Sequence, residues 1–242
     1  MRITASNITV RYSPLVALDR VSLSVGAGET IAVVGKSGSG KTTLLSVLAG
    51  LTQPTAGEID WSPLQALPAV ILQESGVFPW LTVADNIAYP LRLRGEPKAT
   101  VRSTVERWLS RISLRQYRDF WPRQLSGGMN KRVELARALG CRSAALVMDE
   151  PFGALDAQTR QDMQDLLQSC LMDQPSTCIV ATHDIEEAVF VANRVLVLQR
   201  PPDSLFAEYE IDLPMPRAAH VRYEPEFLRL REAIADSLRH SH

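Results

Sequence analysis

The sequence predicts an α/β fold with a mainly parallel sheet and an inserted helical subdomain. Short apolar runs of strand length alternate along the chain with segments of helical periodicity, which is the pattern of a parallel sheet covered by helices. Between about residues 74 and 140 the pattern is instead helical throughout, and arginine is frequent. The chain of 242 residues, 45% hydrophobic and 22% charged, is long enough for one large domain with an inserted lobe.

The predicted strands begin near the N-terminus. Residues 3–11 alternate between polar and apolar side chains, and residues 21–25 place three apolar side chains on one face, as in an antiparallel strand. Residues 30–34 form a continuous run of residues that favour β-strands, and the run ends at Gly35, which predicts a strand buried on both faces. Four further apolar runs of strand length lie at residues 69–72, 144–148, 179–181 and 195–198.

The predicted helices fall between these strands. Residues 42–51 carry leucine and valine at helical spacing, and residues 83–93 and 98–112 are amphipathic helices of the inserted region. After residue 200, four prolines accompany an expected strand at 207–213, and a helical pattern of apolar residues follows. We therefore predict two parts, a domain of residues 1–200 with a helical subdomain at about 74–140, and a C-terminal strand and helix appendage at 201–242.

Composition excludes several classes of protein. The 26 Lys and Arg residues are balanced by 27 Asp and Glu residues, so there is no basic surplus for binding nucleic acid. Cys141, Cys170 and Cys178 are an odd number without CxxC spacing, which argues against a disulfide framework and a zinc site. No apolar run approaches the ~18 residues of a membrane span, and the first residues lack a signal peptide's apolar core. We expect a cytoplasmic protein whose membrane role depends on a partner.

A glycine-rich loop follows the third predicted strand. Its sequence, GKSGSGKT at residues 35–42, fits the pattern GxxxxGK[ST] between a strand and a helix, in which backbone N–H groups and the helix N-terminus bind phosphate. Lys41 would contact the β- and γ-phosphates, and Thr42 would offer its hydroxyl to Mg²⁺. The alternative is a plain glycine-rich turn. The expected phosphate-binding residues are Gly35, Ser37, Gly38, Ser39, Gly40, Lys41, Thr42 and Thr43.

Two adjacent carboxylates follow the apolar run 144–148. Asp149 and Glu150 lie at the end of a predicted buried strand, where adjacent side chains point in different directions. Asp149 could therefore bind Mg²⁺ while Glu150 polarises the attacking water. Taken alone, the pair could be a solvated turn, but together with the glycine loop it indicates a nucleoside triphosphatase.

A third motif, LSGGM at residues 125–129, lies one turn before a predicted helix at 131–139. Ser126, Gly127 and Gly128 would form a second anion site at this helix N-terminus, or Ser126 could serve only as an N-cap. In this order, the three motifs strongly resemble those of ATP-binding cassette (ABC) transporter ATPases, over roughly residues 3–198.

The resemblance implies a P-loop NTPase (RecA-like) core with a mainly parallel sheet, an antiparallel β subdomain and the inserted helical subdomain, and it implies that this core binds ATP and Mg²⁺. It also implies a head-to-tail dimer, in which each nucleotide lies between the glycine loop of one copy and the LSGG motif of the other. It further implies that Tyr12 stacks on adenine, that Gln73 reaches Mg²⁺ and the lytic water, that Asp156 crosses the dimer interface, and that His183 contacts the γ-phosphate. The alternatives for these residues are a surface tyrosine, a loop glutamine, a helix N-cap and a structural histidine.

Two positions depart from the commonest family pattern. Met129 and Lys131 stand where glutamine is frequent. Because Ser126 and both glycines are retained, the implied contact with the γ-phosphate is kept. What the departure changes is any side-chain contact between position 129 and the nucleotide.

Further stretches narrow the resemblance to importers of nitrate, sulfonates and taurine. These are GVFPWLTV at 76–83, DNI at 85–87, DEPFGALD at 149–156 and HDIEEAV at 183–189. The resemblance implies a subunit that hydrolyses ATP at the cytoplasmic face of the cell membrane, bound to a separate permease. A solute-binding protein outside the membrane would deliver a small anionic solute, and Phe78 and Trp80 would anchor a permease helix in a groove beside Gln73.

Other functions stay open at this point. Thiamine-precursor importers share much of these stretches, and a lipid exporter would use the same catalytic motifs. A P-loop kinase would share the glycine loop but would have no use for LSGG. In either transporter role, this chain would supply the energy and would contain no pocket for the transported substrate.

Overall fold

The structure is a computed structural model that describes residues 1–63, 68–72, 76–153, 155–202 and 204–240, without the side chain of Phe206. Gln73 therefore lies outside the described residues. The strands are β1 (Arg2–Tyr12), β2 (Leu15–Val25), β3 (Thr30–Gly35), β4 (Ala56–Ser62), β5 (Ala69–Ile71), β6 (Ala145–Asp149), β7 (Thr177–Thr182), β8 (Arg194–Leu198) and β9 (Leu205–Glu210). The helices are α1 (Lys41–Leu48), α2 (Val83–Leu93), α3 (Lys98–Arg111), α4 (Gly127–Gly140), α5 (Ala157–Asp173), α6 (Ile185–Val191) and α7 (Pro225–His240).

Within the described residues, the main sheet has six strands in the order β5-β6-β7-β3-β8-β9. All its pairings are parallel except that of β8 with β9. β3 is buried along its whole length between β7 and β8, which explains its continuous apolar sequence. The carboxyl ends of the parallel strands lie at one edge, where an open α/β sheet usually binds its ligand.

A second sheet of three antiparallel strands, in the order β2-β1-β4, covers one side of the core. Ile3 lies opposite Val25 of β2 and Trp61 of β4, and its buried side chain packs in the same cluster as Leu44 and Leu48 of α1. The two sheets confirm the predicted α/β class, with a mainly parallel sheet and a separate antiparallel one. The sequence did not predict β4, because this edge strand is mostly exposed and has no continuous apolar run.

Helices α2, α3 and α4 occur between β5 and β6 and share a core of their own. Ile87, Trp108, Leu109 and Val133 are buried there. One boundary was predicted wrongly, since α4 begins at Gly127 and not near residue 131. Ser126 caps the helix by accepting a hydrogen bond from the Met129 N–H at 3.2 Å, which offsets the low helix propensity of the two glycines.

The C-terminal segment packs against the main sheet. β9 forms its last strand, and Phe227 and Ile234 of α7 are fully buried in the same cluster as Phe190 of α6. The strand ends at Glu210, before the end of the predicted range 207–213, and Pro214, which has no N–H to donate, follows shortly. The division into residues 1–200 and 201–242 stays a prediction. In the part of the chain that the structure describes, no helix is long and apolar enough to cross a membrane.

We expect Phe227→Ala to lower the free energy of unfolding by about 3–5 kcal/mol, because it removes a ring that is fully buried in the main core. Tyr223→Ala is the matched control, since Tyr223 is 83% exposed and should change stability by no more than about 0.5 kcal/mol. Urea denaturation followed by circular dichroism measures both. A loss below about 1 kcal/mol for Phe227→Ala would contradict a shared core.

Candidate functional site

The glycine loop connects β3 to α1 and passes very close to neighbouring groups. A Cβ atom at Gly35 would lie 2.4 Å from Ser39 Oγ and 2.5 Å from the Leu198 carbonyl oxygen. Gly40 has a φ of 94°, in the left-handed region that favours glycine. The loop can therefore adopt this course only with glycine at these two positions, and it directs the N-terminus of α1 toward the carboxyl edge of the sheet.

Lys41 begins α1 and folds back over this loop. Its Nζ donates hydrogen bonds to the carbonyl oxygens of Gly35, at 2.8 Å, and Lys36, at 3.2 Å. Burial lowers the pKa of Lys41, while the nearby carboxylates of Glu150 and Asp149 oppose that shift. The ammonium group is thus placed between the loop and the two carboxylates, where an anionic ligand would find a positive charge.

Thr42 and Asp149 meet across the loop. Thr42 Oγ1 donates a hydrogen bond of 2.7 Å to Asp149 Oδ2. Burial raises the pKa of Asp149, and the Thr42 hydrogen bond opposes the shift by stabilising the carboxylate. A hydroxyl beside a carboxylate is a pair of hard oxygen donors that suits Mg²⁺. Among the described residues there is no group of three or more His, Cys, Asp or Glu side chains that could hold a metal ion.

Glu150 follows Asp149 in an unusual backbone conformation. Its φ is 48°, and its N–H donates to the Ala181 carbonyl oxygen of β7 at 2.9 Å. A left-handed residue other than glycine costs free energy and is often found at functional sites. Here the turn sends the two adjacent side chains apart, so that Asp149 contacts Thr42 while Glu150 faces the end of β7.

His183 lies just beyond β7 and completes this edge. Its Nδ1 is 3.0 Å from Glu150 Oε1. The histidine side chain is 66% exposed and that of Glu150 is 23% exposed, so both remain accessible to a ligand. The structure thus brings together the glycine loop, the adjacent pair Asp149 and Glu150, and His183, which lie in three segments that are far apart in the sequence.

The LSGG motif lies elsewhere on the surface, at the start of α4. The described hydrogen bonds connect Ser126 to its own helix and not to the glycine loop. A Cβ atom at Gly127 would meet no other atom within 4 Å, so this helix N-terminus is open to a ligand. The N-cap role of Ser126 is therefore seen directly, and the exposed helix end suits an anion as well.

Two more predicted residues lie at element boundaries. Tyr12 ends β1 and is half-exposed. Asp156 is the N-cap of α5 and accepts a hydrogen bond from the Thr159 N–H at 3.0 Å. Hydrogen bonds from Thr159 lower the pKa of Asp156, so its carboxylate is charged at neutral pH and exposed at the surface.

Sequence reasoning missed Arg200, which follows β8 and approaches the glycine loop. Its Nη2 donates to the Ser37 carbonyl oxygen at 3.3 Å. Beside it, a cavity of about 800 Å³ is lined by Gly38, Leu15 and Val16, among others. No local motif marks this arginine, because its proximity to the loop depends on the pairing of β8 with β3.

The unusual residue Lys131 has a structural role in this chain. It is buried, and its Nζ lies 2.9 Å from Glu134 Oε2 and 3.4 Å from the Leu72 carbonyl oxygen. Glu134 Oε1 in turn accepts a hydrogen bond from the Gly76 N–H at 3.1 Å. The ion pair on α4 therefore holds both flanks of the segment that contains Gln73.

Comparison with known proteins agrees with this geometry. A family model described as ABC transporter matches residues 18–153. The chain is similar to the taurine import ATP-binding protein TauB of Chromobacterium violaceum, with 41% identity covering 96% of this chain and 94% of that protein. It is also similar to the nitrate import ATP-binding protein NrtD of Synechocystis sp., with 38% identity covering 93% and 89%.

Solved structures extend the similarity to three dimensions. The dimeric structure of MJ0796, a bacterial ABC transporter cassette, has a TM-score of 0.79 and 28% identity, and the match covers 88% of this chain and 100% of that one. A post-hydrolysis state of the same cassette, bound to ADP and Pi, has a TM-score of 0.78. The family match, the extent of these relatives and the shared fold together mean that this chain belongs to the ABC transporter family.

Proposed function

We propose that this chain is the ATP-hydrolysing subunit of an ABC importer that takes up a small anionic solute of the nitrate, sulfonate or taurine type. The observation that carries the proposal is the cluster of Lys41, Thr42, Asp149, Glu150 and His183 at the carboxyl edge of the main sheet. The printed functions of the TauB and NrtD relatives support the importer class.

The glycine loop and Lys41 bind the β- and γ-phosphates of ATP in this proposal, and Tyr12 stacks on the adenine. Thr42, Asp149 and Gln73 would hold Mg²⁺, which neutralises phosphate charge when bound. The buried Ser39 Oγ has no hydrogen-bond partner among the described residues, and a phosphate oxygen would supply one. The other residues assigned to phosphate contact are Gly35, Ser37, Gly38, Gly40 and Thr43.

Glu150 acts as the general base for hydrolysis. It accepts a proton from water as the water oxygen bonds to the γ-phosphorus, while the bond from that phosphorus to the β–γ bridging oxygen breaks. ADP leaves with the bridging oxygen, and inorganic phosphate is the second product. His183 holds Glu150 through Nδ1, and its other ring nitrogen, Nε2, is left to contact the γ-phosphate.

A second copy completes each site. The open N-terminus of α4, with Ser126, Gly127 and Gly128, contacts the γ-phosphate bound by the partner copy, and Asp156 lies at the interface between the copies. ATP therefore joins the two copies through contacts that ADP does not offer. The dimeric MJ0796 cassette, which shares this fold, supports the arrangement.

An importer subunit must also bind a permease, and an aromatic patch on the helical region is suited to this contact. Trp80 is 66% exposed and stacks on Phe78 with ring centroids 5.5 Å apart. Phe78 is itself held by Tyr89 and by Arg137, whose guanidinium carbon lies 4.7 Å from the ring centroid. Trp80 is thus the exposed anchor for a permease helix, and Phe78 is its support.

The remaining assignments follow from this role. The subunit would lie at the cytoplasmic face of the cell membrane, bound to the permease, and a solute-binding protein outside would deliver the solute. Residues 1–200 would form the ATPase domain, and residues 201–242 would be the C-terminal addition.

Glu150→Gln should slow hydrolysis by about 10²–10⁴-fold, because a positioned general base is lost, while ATP binding is retained. Single-turnover hydrolysis and ATP binding, measured on the same preparations, separate the two effects. Glu232→Gln makes the same charge change at an exposed position and is the control. Turnover of Glu150→Gln near the wild-type rate would move the catalytic role elsewhere, with His183 as the first candidate.

ATP should convert Glu150→Gln from monomer to dimer, whereas ADP or no nucleotide should leave it monomeric. Light scattering measures the mass in each state. Adding Gly127→Glu should abolish the dimer, because the open position accepts the side chain while its carboxylate repels the γ-phosphate. In the same background, Gly127→Ala adds a methyl group without a charge, and most of the protein should still form the dimer. The same mass in all three nucleotide states would contradict the proposed interface.

Trp80→Ala should weaken assembly with the permease by about 2 kcal/mol, or roughly 30-fold in affinity, since an exposed aromatic anchor is lost. Basal ATPase activity of the isolated subunit should not change, because Trp80 does not touch the phosphate site. Tyr223→Ala is the control, as it also removes an exposed aromatic ring. Co-purification from membranes measures assembly, and loss of basal activity with intact assembly would refute the assignment.

A further inference from the structure

Two helices begin at the loops that carry Asp156 and His183. α5 starts directly after Asp156, whose carboxylate caps it. α6 starts after His183 and Asp184, and the Asp184 carboxylate accepts hydrogen bonds from the Glu186 and Glu187 N–H groups at 2.9 and 3.2 Å. Because each loop is hydrogen-bonded to its helix, the placement of α5 and α6 sets the placement of these two loops.

Arg222 of the C-terminal segment contacts both helices through one side chain. It lies in a short 3-10 helix, Ala219–Tyr223. On the α5 side, it donates hydrogen bonds to the amide oxygens of Gln161 and Gln164, the latter at 2.7 Å. On the α6 side, its Nε lies 2.9 Å from Glu186 Oε1, and its guanidinium carbon lies 3.7 Å from the centroid of the Phe190 ring.

Arg217 makes a second connection at the other end of α6. Its guanidinium donates to five backbone carbonyl groups at 2.7–3.2 Å, those of Val189, Phe190, Ala192, Ile211 and Leu213. The backbone N–H of Arg217 donates a hydrogen bond to Gln168 Oε1 of α5 at 2.7 Å, and Gln168 Nε2 donates one to the backbone carbonyl of Arg217 at 3.3 Å. The side chain thus satisfies carbonyls at the end of α6 that have no partner within the helix.

The chemistry of Arg217 shows that this connection is specific. The residue is 2% exposed, and among the described residues no carboxylate belongs to its hydrogen-bond partners. Burial lowers its pKa to about 10, so it is still protonated at neutral pH. A buried charge of this kind is tolerated only when most of its donors are paired. Both terminal nitrogens of Arg217 donate to carbonyl oxygens, while Nε has no partner among the described residues, and this pairing requires α6 and the chain around residues 211–213 to be in place together.

We propose that Arg217 and Arg222 form a C-terminal clasp that holds α5 and α6 in a fixed relation, so that the Asp156 and His183 loops are set together. Both are positioning residues, and neither contacts the nucleotide. The proposal rests on the proposed function, because it needs His183 to act with Glu150. Loosening the clasp lets α6 shift, which moves His183 relative to Glu150 and leaves the glycine loop and Lys41 where they are.

The test compares Arg222→Ala with Arg229→Ala in the full chain. Arg229 is exposed and pairs with Glu226 within α7, so its removal controls for the loss of an arginine from the same segment. We expect Arg222→Ala to lower kcat by roughly 10- to 100-fold, as misplacement of a group by about 1 Å does, with the KM for ATP changed less than about twofold. Arg229→Ala should change neither. All rates are measured under conditions in which circular dichroism shows that each variant is folded.

A double variant distinguishes positioning from a general weakening of the fold. In a His183→Ala background, Arg222→Ala should lower the single-turnover rate by less than about twofold, because the group that it positions is gone. If the double variant shows the product of the rate losses of the two single variants, the proposal is overturned. A lower Tm together with a wild-type kcat for Arg222→Ala would also overturn it. If Arg222→Ala fails to fold, Glu186→Gln removes the charge pair alone and should lower kcat in the same pattern. Absence of ATPase activity in the wild-type chain would instead refute the proposed function.

Discussion

The hydrogen bond from the Glu150 N–H to the Ala181 carbonyl oxygen, at 2.9 Å, is the contact on which the site depends. It joins the ends of β6 and β7 at a residue whose φ is 48°, and the strain of that conformation is tolerated because the sheet on either side fixes both strands. The turn separates two adjacent carboxylates, so one contacts Thr42 and the other His183. In the proposed function, this separation leaves one carboxylate for the metal and the other for the attacking water.

Much of this arrangement could be predicted from the sequence, because its parts are local. The glycine loop, the carboxylate pair and the histidine each follow a buried strand, and parallel strands bring their carboxyl ends to one edge. What could not be predicted depends on contacts between distant segments. β4 is held by pairing with β1 and has no apolar pattern of its own. The start of α4 was placed too late because the two glycines suggested a turn, whereas the Ser126 cap stabilises a helix there.

The tertiary contacts of Lys131 explain its departure from the family pattern. At the sequence level it was an unexplained substitution near LSGG. In the fold it forms a buried ion pair with Glu134, and the pair binds the Leu72 carbonyl and the Gly76 N–H on either side of Gln73. Burying two charges costs desolvation energy that their attraction only partly offsets. The pair is therefore better understood as fixing the course of this segment relative to α4 than as a source of stability.

The C-terminal segment likewise fixes the position of a neighbouring element, in this case α6. Its strand extends the main sheet and its helix buries Phe227, so its attachment is partly apolar and would tolerate small adjustments. The hydrogen bonds of Arg217 are different, since five carbonyl oxygens from two parts of the chain must be in place to pair the two terminal nitrogens of its guanidinium. An apolar contact weakens gradually as elements move, whereas a buried charge loses its compensation abruptly. This segment consequently restricts α6, and with it the loop of His183, more tightly than hydrophobic packing alone would.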